Sequence, residues 1–274
     1  MKEYRTWPDG AKMAALITIN LDGEQFWKGM FPDSVRRPKT LSMGDYGIVR
    51  GLDRVLKTLR DHEITSTFFV PGMVAENHPE AIEKIMKDGH EIALHGYSHT
   101  PMHLLTAEQQ EEEMEKGKEA LKQLTGVTPA GFRAPEGELT AVTMDLMAKA
   151  GFLYSSSLYD NDKPYEYPVK EGQLIEIPMN WDLHDFPYFA FNYGPAFPSG
   201  QGRVASYKRV AENYMEEFDA YHQLGLAYVA QFTPQTIGSP GKIQIMEQVL
   251  DHICGFDGVW TGTCKDLVES QCGR

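Results

Sequence analysis

The chain has 274 residues, 42% of them hydrophobic and 24% charged, the makeup of one large folded domain rather than a disordered or fibrous chain. Its formal net charge of -13 excludes nucleic acid and anionic membrane surfaces as expected partners, because both would repel it. No stretch approaches the ~18 apolar residues of a membrane span.

Met1 to Lys12 is polar and lacks the apolar centre of a signal peptide, so a cytoplasmic location is expected. Met13 to Leu21 reads as a buried strand. Asp45 to His62 places Ile48, Leu52, Val55, Leu56 and Leu59 on one helical face. Thr65 to Val70 is a second strand, stopped by Pro71-Gly72. His78-Pro79 opens a helix to Lys87, and Asp88-Gly89 closes it. His90 to Leu94 is a third strand. Thr106 is the expected N-cap of a helix through Leu124 that ends at Gly126, with Glu111-Glu112-Glu113 as a solvated face.

Gly131 to Ala134 is a short strand, and Thr140 begins a helix ending at Lys149-Ala150-Gly151. Phe152 to Ser156, Leu174 to Ile177, Leu226 to Phe232 and Gly258 to Thr261 complete the strands. Ala205 to Leu224 and Gly241 to His252 are long helices, and the tail from Lys265 to Arg274 is read as a short closing helix. Strand-helix alternation predicts a parallel sheet in an α/β barrel with its chemistry after the strands. Residues 1–274 are read as one catalytic domain. A loop-rich insertion at about 160–203 is expected to lie over the barrel mouth.

Three cysteines, Cys254, Cys264 and Cys272, are an odd number without paired spacing, so free thiols in a reducing compartment are expected. The informative segment is His95-Gly96-Tyr97-Ser98-His99. Two imidazoles four residues apart, in a turn after a strand, can face one point, and Asp22 leaves an earlier strand that would neighbour theirs. Two neutral nitrogens and a carboxylate leave an open position for a catalytic divalent metal. His103, nearby, is read as a loop histidine.

These residues carry a resemblance. His-Gly-x-Ser-His, the Asp22-Gly23 strand end and Arg133-Ala134-Pro135 are similar to motifs of the polysaccharide deacetylase family, the NodB-homology fold. Further pieces are Thr67-Phe68-Phe69-Val70-Pro71-Gly72, Asp88-Gly89-His90-Glu91, Ser156-Ser157-Leu158, Asn161-Asp162-Lys163-Pro164-Tyr165 and Glu176-Ile177-Pro178-Met179-Asn180-Trp181. They resemble the intracellular branch that holds a Helicobacter-type peptidoglycan deacetylase, cyclic-imide hydrolases and allantoinase-like proteins. The resemblance spans roughly residues 10 to 265.

It implies a distorted (β/α) barrel of seven or fewer complete units. It also implies a divalent metal, zinc first and cobalt, nickel or manganese as alternatives, on Asp22, His95 and His99. The activity implied is hydrolysis of amide carbon-nitrogen bonds other than peptide bonds. The substrate would be an N-acetylated sugar, a small amide or a cyclic imide, and the assembly a homo-oligomer, dimer or tetramer.

Two positions depart from the family pattern. The slot of the base holds Asn20, whose amide cannot accept a proton at neutral pH. The strand-end motif that normally reads His-Pro is Thr233-Pro234, and a hydroxyl does not replace an imidazolium. Other groups therefore supply the proton transfers, or the protein is a ligand-binding relative without chemistry, or Asn20 is an engineered inactivating exchange. Glu24 ranks first as base because it follows the metal strand, ahead of His184, Asp185, Glu136 and Glu138. Arg133, which would orient the base in the family, is expected to turn to Glu24. Asp162, Trp181 and His184 are the expected substrate contacts. The aromatic run Trp181, Phe186, Tyr188, Phe189, Phe191 and Tyr193 reads equally as substrate stacking and as loop packing or a subunit contact.

Overall fold

The computed structural model describes residues 2–4, 6–190 and 205–272. A two-residue strand, β1 (Lys2–Glu3), comes first, and then β2 (Met13–Asn20), buried at all eight positions as a strand covered on both faces must be. Three short helices follow: α1 (Gln25–Met30), α2 (Pro38–Tyr46) and, after a π-turn at Gly47–Gly51, α3 (Leu52–Asp61). The apolar stripe of that region is buried at Ile48, Leu52, Val55, Leu56 and Leu59, as its spacing predicts.

Next come β3 (Thr67–Val70), α4 (Gly72–Asn77), α5 (Pro79–Lys87), β4 (Glu91–Leu94) and α6 (Ala107–Thr125). Helix α6 starts with a capping box, Thr106 and Gln109 each satisfying the other's backbone, and ends on left-handed Gly126. Then follow β5 (Gly131–Phe132), α7 (Thr143–Lys149), β6 (Tyr154–Ser155), β7 (Tyr165–Tyr167), β8 (Leu174–Glu176) and α8 (Asp185–Phe189). The last elements are α9 (Tyr207–Leu224), β9 (Ala227–Phe232), α10 (Pro234–Ile237), α11 (Ile243–Cys254), β10 (Val259–Thr261) and α12 (Cys264–Cys272).

Strands β8, β6, β5, β4, β3 and β2 form a continuous parallel path, with β9 on the other side of β2. Strand β10 runs parallel to the first residues of β2, Val259 against Met13. The sheet curls, and its ends meet at the mouth through a single parallel bridge between His184 and Gln231. This is the distorted barrel expected, with helices outside and the carboxyl ends of the strands at one mouth.

Two features depart from a purely parallel reading. Strand β7 pairs antiparallel with β8, and β1 pairs antiparallel with β7, so the insertion contributes an edge of the sheet rather than loops alone. It also holds α8, whose buried Asp185 and Phe186 close the mouth. Phe191 and Tyr193 lie outside the described residues. Cys254 is exposed and Cys264 buried, both as free thiols. Among the described residues no helix is long and apolar enough to cross a membrane.

Candidate metal centre and active site

Strand β2 ends at Asn20, and two residues on Asp22 turns over the mouth, 4% exposed. Strand β4 ends at Leu94 and delivers His95, also buried. The chain then folds back on itself. Gly96 takes φ 73, which favours glycine, and His99 takes φ 62, a strained conformation for a residue with a Cβ. The fold holds that strain because Glu113 of α6 clamps the turn. Its carboxylate accepts from the backbone N–H of Tyr97 (2.9 Å) and Ser98 (2.8 Å) and from the Ser98 hydroxyl (2.8 Å). One member of the acidic run read as a solvated face is therefore a clamp on the histidine turn.

The consequence is convergence. Asp22 Oδ1 stands 3.6 Å from His95 Nε2 and 3.6 Å from His99 Nε2. One ligand atom from each of the three residues lies within 4.8 Å of the others. Donors held about 2.1 Å from a tetrahedral ion lie about 3.4 Å apart, so the spacing fits a small divalent metal. The chemistry of the set fits as well. His95 Nδ1 donates to the Arg133 carbonyl (2.7 Å), which leaves its Nε2 unprotonated and aimed inward. Asp22 Oδ1 and His99 Nε2, which face each other, are buried with no hydrogen-bond partner, a costly state that an ion ligating both would relieve.

The electrostatics are those of one carboxylate set between two buried imidazoles. Burial alone would lift the Asp22 carboxyl, but the close approach and charge of His99, with His95 and His184 beyond, hold it below its usual value. Burial, then the charge of His99, pushes His95 down to about 3, so it is the neutral imidazole that a ligand must be. His99 moves up, because Asp22 outweighs the effect of its burial.

Beside the three lies a cavity of about 100 Å³, with Asn20, Asp22, Arg133, Glu136, His184 and Phe186 in its wall and the exposed Tyr159 and Trp181 toward its rim. Asn20 is locked. Its Oδ1 accepts from Arg133 Nη1 (2.9 Å), which turns its Nδ2 toward the lone pair of His95 Nε2 (3.2 Å). Arg133 thus keeps the Asn20 slot as its partner and does not reach Glu24.

Glu24 was expected as the base, and its position corrects that expectation. The turn into α1 carries its carboxylate away from the cavity, where Lys28, Gln25 and Asn77 (each 3.3 Å) and His78 (3.2 Å) hold it. Burial would raise it, but His78 above all lowers it to about 2. Its contribution to stability is therefore full above its ordinary value of 4.5 and fades as pH falls toward 2. Glu24→Gln is expected to lower unfolding stability by about 1–2 kcal/mol at neutral pH, a deficit that closes in acid. Urea denaturation across pH would measure it, and turnover should stay within a few-fold of wild type.

Thr233, expected in the slot of the acid, is fully buried and outside the cavity wall. Its N–H (3.1 Å) and Oγ1 (3.0 Å) both donate to Asp185, whose carboxyl burial pushes up to about 8. The neighbouring His184 does enter the wall. It stacks on Phe186 at 5.8 Å, its Nε2 lies 2.8 Å from the Gln231 amide nitrogen, and burial drives it down to about 3, so it is a neutral imidazole. Of the other expected substrate contacts, Trp181 is 61% exposed at the rim and meets Tyr159 edge-on at 5.8 Å. Asp162 is exposed, bonded to the Tyr221 hydroxyl (3.1 Å) and away from the cavity.

The carboxylate that the cavity wall holds besides Asp22 is Glu136, just past Arg133-Ala134-Pro135. It holds φ 58, a left-handed conformation that points to a site needing that side chain where it is. Its side chain reaches solvent, yet the cavity walls crowd the carboxyl and push it up to about 7, opposed by His99 and reinforced by Asp22. Water on the open side moderates the size of that shift and leaves its upward direction.

The comparisons with known proteins agree with this fold. The polysaccharide deacetylase family matches residues 36–155. The Helicobacter pylori peptidoglycan deacetylase is 29% identical over 284 aligned positions, which span 93% of this chain and 95% of its own length. A Mycobacterium smegmatis structure assigned as a polysaccharide deacetylase is 34% identical, with a TM-score of 0.91 over 98% of this chain and 93% of that one. An allantoinase shares the fold, with a TM-score of 0.83 at 22% identity over 97% of this chain and 92% of its own. Sequence identity along nearly the whole of both chains, a matched family segment and a common barrel together establish that this chain belongs to the polysaccharide deacetylase family.

Proposed function

We propose that this protein is a metal-dependent hydrolase of amide carbon-nitrogen bonds other than peptide bonds, acting on an N-acetylated sugar, a small amide or a cyclic imide. The observation that carries the reading is the convergence of Asp22, His95 and His99, with unsatisfied buried ligand atoms, on a cavity that also holds a carboxyl group. A divalent ion on those three residues, zinc first, would act as a Lewis acid on the scissile carbonyl and the attacking water.

The remaining roles fall to the chain itself. Glu136 accepts the proton of the attacking water and returns it to the leaving nitrogen, so one carboxyl fills both proton-transfer slots that Asn20 and Thr233 leave empty. His184, a neutral imidazole fixed by Gln231 and Phe186, offers a hydrogen bond to the bound amide. Trp181 and Tyr159 present aromatic faces to the body of the substrate.

One observation favours a second reading, a ligand-binding relative without turnover. Asn20 is neutral, and its Nδ2 already occupies the lone pair that His95 would give to a metal. A panel of N-acetyl sugars, small amides, imides and ureides, assayed after chelation and after addition of zinc or cobalt, separates the two. The hydrolase reading expects turnover that chelation removes and metal restores. No turnover on any member, with measurable ligand binding, would support the second reading.

A further inference from the structure

Arg133 is the least compensated charge in the cavity wall. Its side chain is 1% exposed, and among the described residues no carboxylate lies within ion-pair distance. Its four hydrogen bonds all end on neutral oxygens: the Ser156 carbonyl (2.9 Å), the Ser156 hydroxyl (2.9 Å), the Thr18 hydroxyl (3.0 Å) and Asn20 Oδ1 (2.9 Å). The ring of Phe69, 3.9 Å from the guanidinium carbon, supplies a cation–π contact and no counter-charge.

The neighbouring carboxyls are engaged elsewhere. Asp22 faces the two histidines, Glu136 stands at the solvent side of the wall, and Glu176, whose charge reaches Arg133 only from beyond ion-pair distance, accepts with Oε1 from the backbone N–H groups of Ser157 and Leu158. Burial brings Arg133 down only to about 10, so it remains charged at neutral pH. A buried ion with no counter-charge at ion-pair distance is expensive, and this one borders a cavity that a ligand can enter.

We propose that the ligand of this cavity is an anion: an amide that carries a carboxylate, received on the side of the wall formed by Asn20 and Arg133. The neutral Asn20 is what makes room for it. An aspartate in that position would pair with Arg133 and repel a second negative charge. Asn20 is then a specificity determinant that moves the counter-charge of Arg133 from protein to ligand. The inference rests on the proposed hydrolase function only where it calls the anion a substrate; the binding preference stands without it.

The test is calorimetric titration of the wild-type protein at neutral pH with N-acetylglycine and with its neutral counterpart, N-acetylglycinamide. The two differ in charge and little else. The acid is expected to bind at least ~10-fold more tightly. Asn20→Asp, a change of one atom in shape, is expected to reduce that preference to ~2-fold or reverse it. Equal binding, tighter binding of the amide, no binding of either up to ~50 mM, or a preference that survives in Asn20→Asp overturns the proposal. If the variant does not fold, the wild-type comparison decides alone. Because binding is read without turnover, failure to cleave any amide counts against the hydrolase reading and leaves this inference standing.

Discussion

Exchange of Glu136 for glutamine is expected to lower turnover of any cleaved amide by ~10²–10⁴-fold while metal content stays unchanged. The size follows from the role. Glutamine keeps the shape and the hydrogen-bonding reach of the side chain but cannot take a proton from water or return one to nitrogen. No second group in the wall can substitute at neutral pH: Asn20 is an amide, His184 is held by burial well below its ordinary value, and Asp22 belongs to the ligand set. The left-handed φ at Glu136 adds a control. Glutamine bears the same backbone strain, so thermal stability should not fall with activity. Turnover within a few-fold of wild type would remove Glu136 from the proton path.

Exchange of His95 for alanine is expected to cost more metal affinity than the roughly 10–100-fold that follows loss of an outer partner, because a donor itself is removed. The effect has three parts. The variant loses Nε2 from the ligand set, breaks the bond from Nδ1 to the Arg133 carbonyl and frees the Asn20 amide. Zinc competition with a chromophoric chelator reads the affinity, and circular dichroism checks that the barrel remains. Stoichiometric zinc in this variant at wild-type affinity would refute the ligand assignment.

Much of the barrel was legible because its elements obey local rules. Strand β2 is apolar from Met13 to Ile17 and again at Ile19, α3 carries its stripe at helical spacing, and Thr106 and Gln109 write a capping box into the sequence. What sequence could not show was direction. Glu24 lies two residues from Asp22, yet the first turn of α1 rotates it toward His78. Thr233 sits at a strand end, where chemistry is expected, but the hydroxyl bonds to Asp185 instead of facing the cavity.

The acidic run of α6 shows a further limit. Three consecutive glutamates look alike in sequence, and only the fold places the third beneath the backbone N–H groups of the histidine turn. Glu136 was visible as a carboxylate after Arg133-Ala134-Pro135, but its left-handed backbone was not. The edge formed by β7 was missed because three residues, Tyr165 to Tyr167, are too few to show alternation. The convergence of the three candidate ligands was readable for the opposite reason. Two of them share one short turn, and that turn follows a strand whose register beside β3 and β2 is dictated by burial.

The claim on which the account stands is that Asp22, His95 and His99 share one divalent ion. Crystals grown with zinc and measured on either side of its absorption edge test it directly. The account predicts one strong anomalous peak at the barrel mouth, within coordination distance of Asp22 Oδ1, His95 Nε2 and His99 Nε2. A map with no peak there, or with the Asn20 amide still bonded to His95 and the ion bound elsewhere, would contradict it.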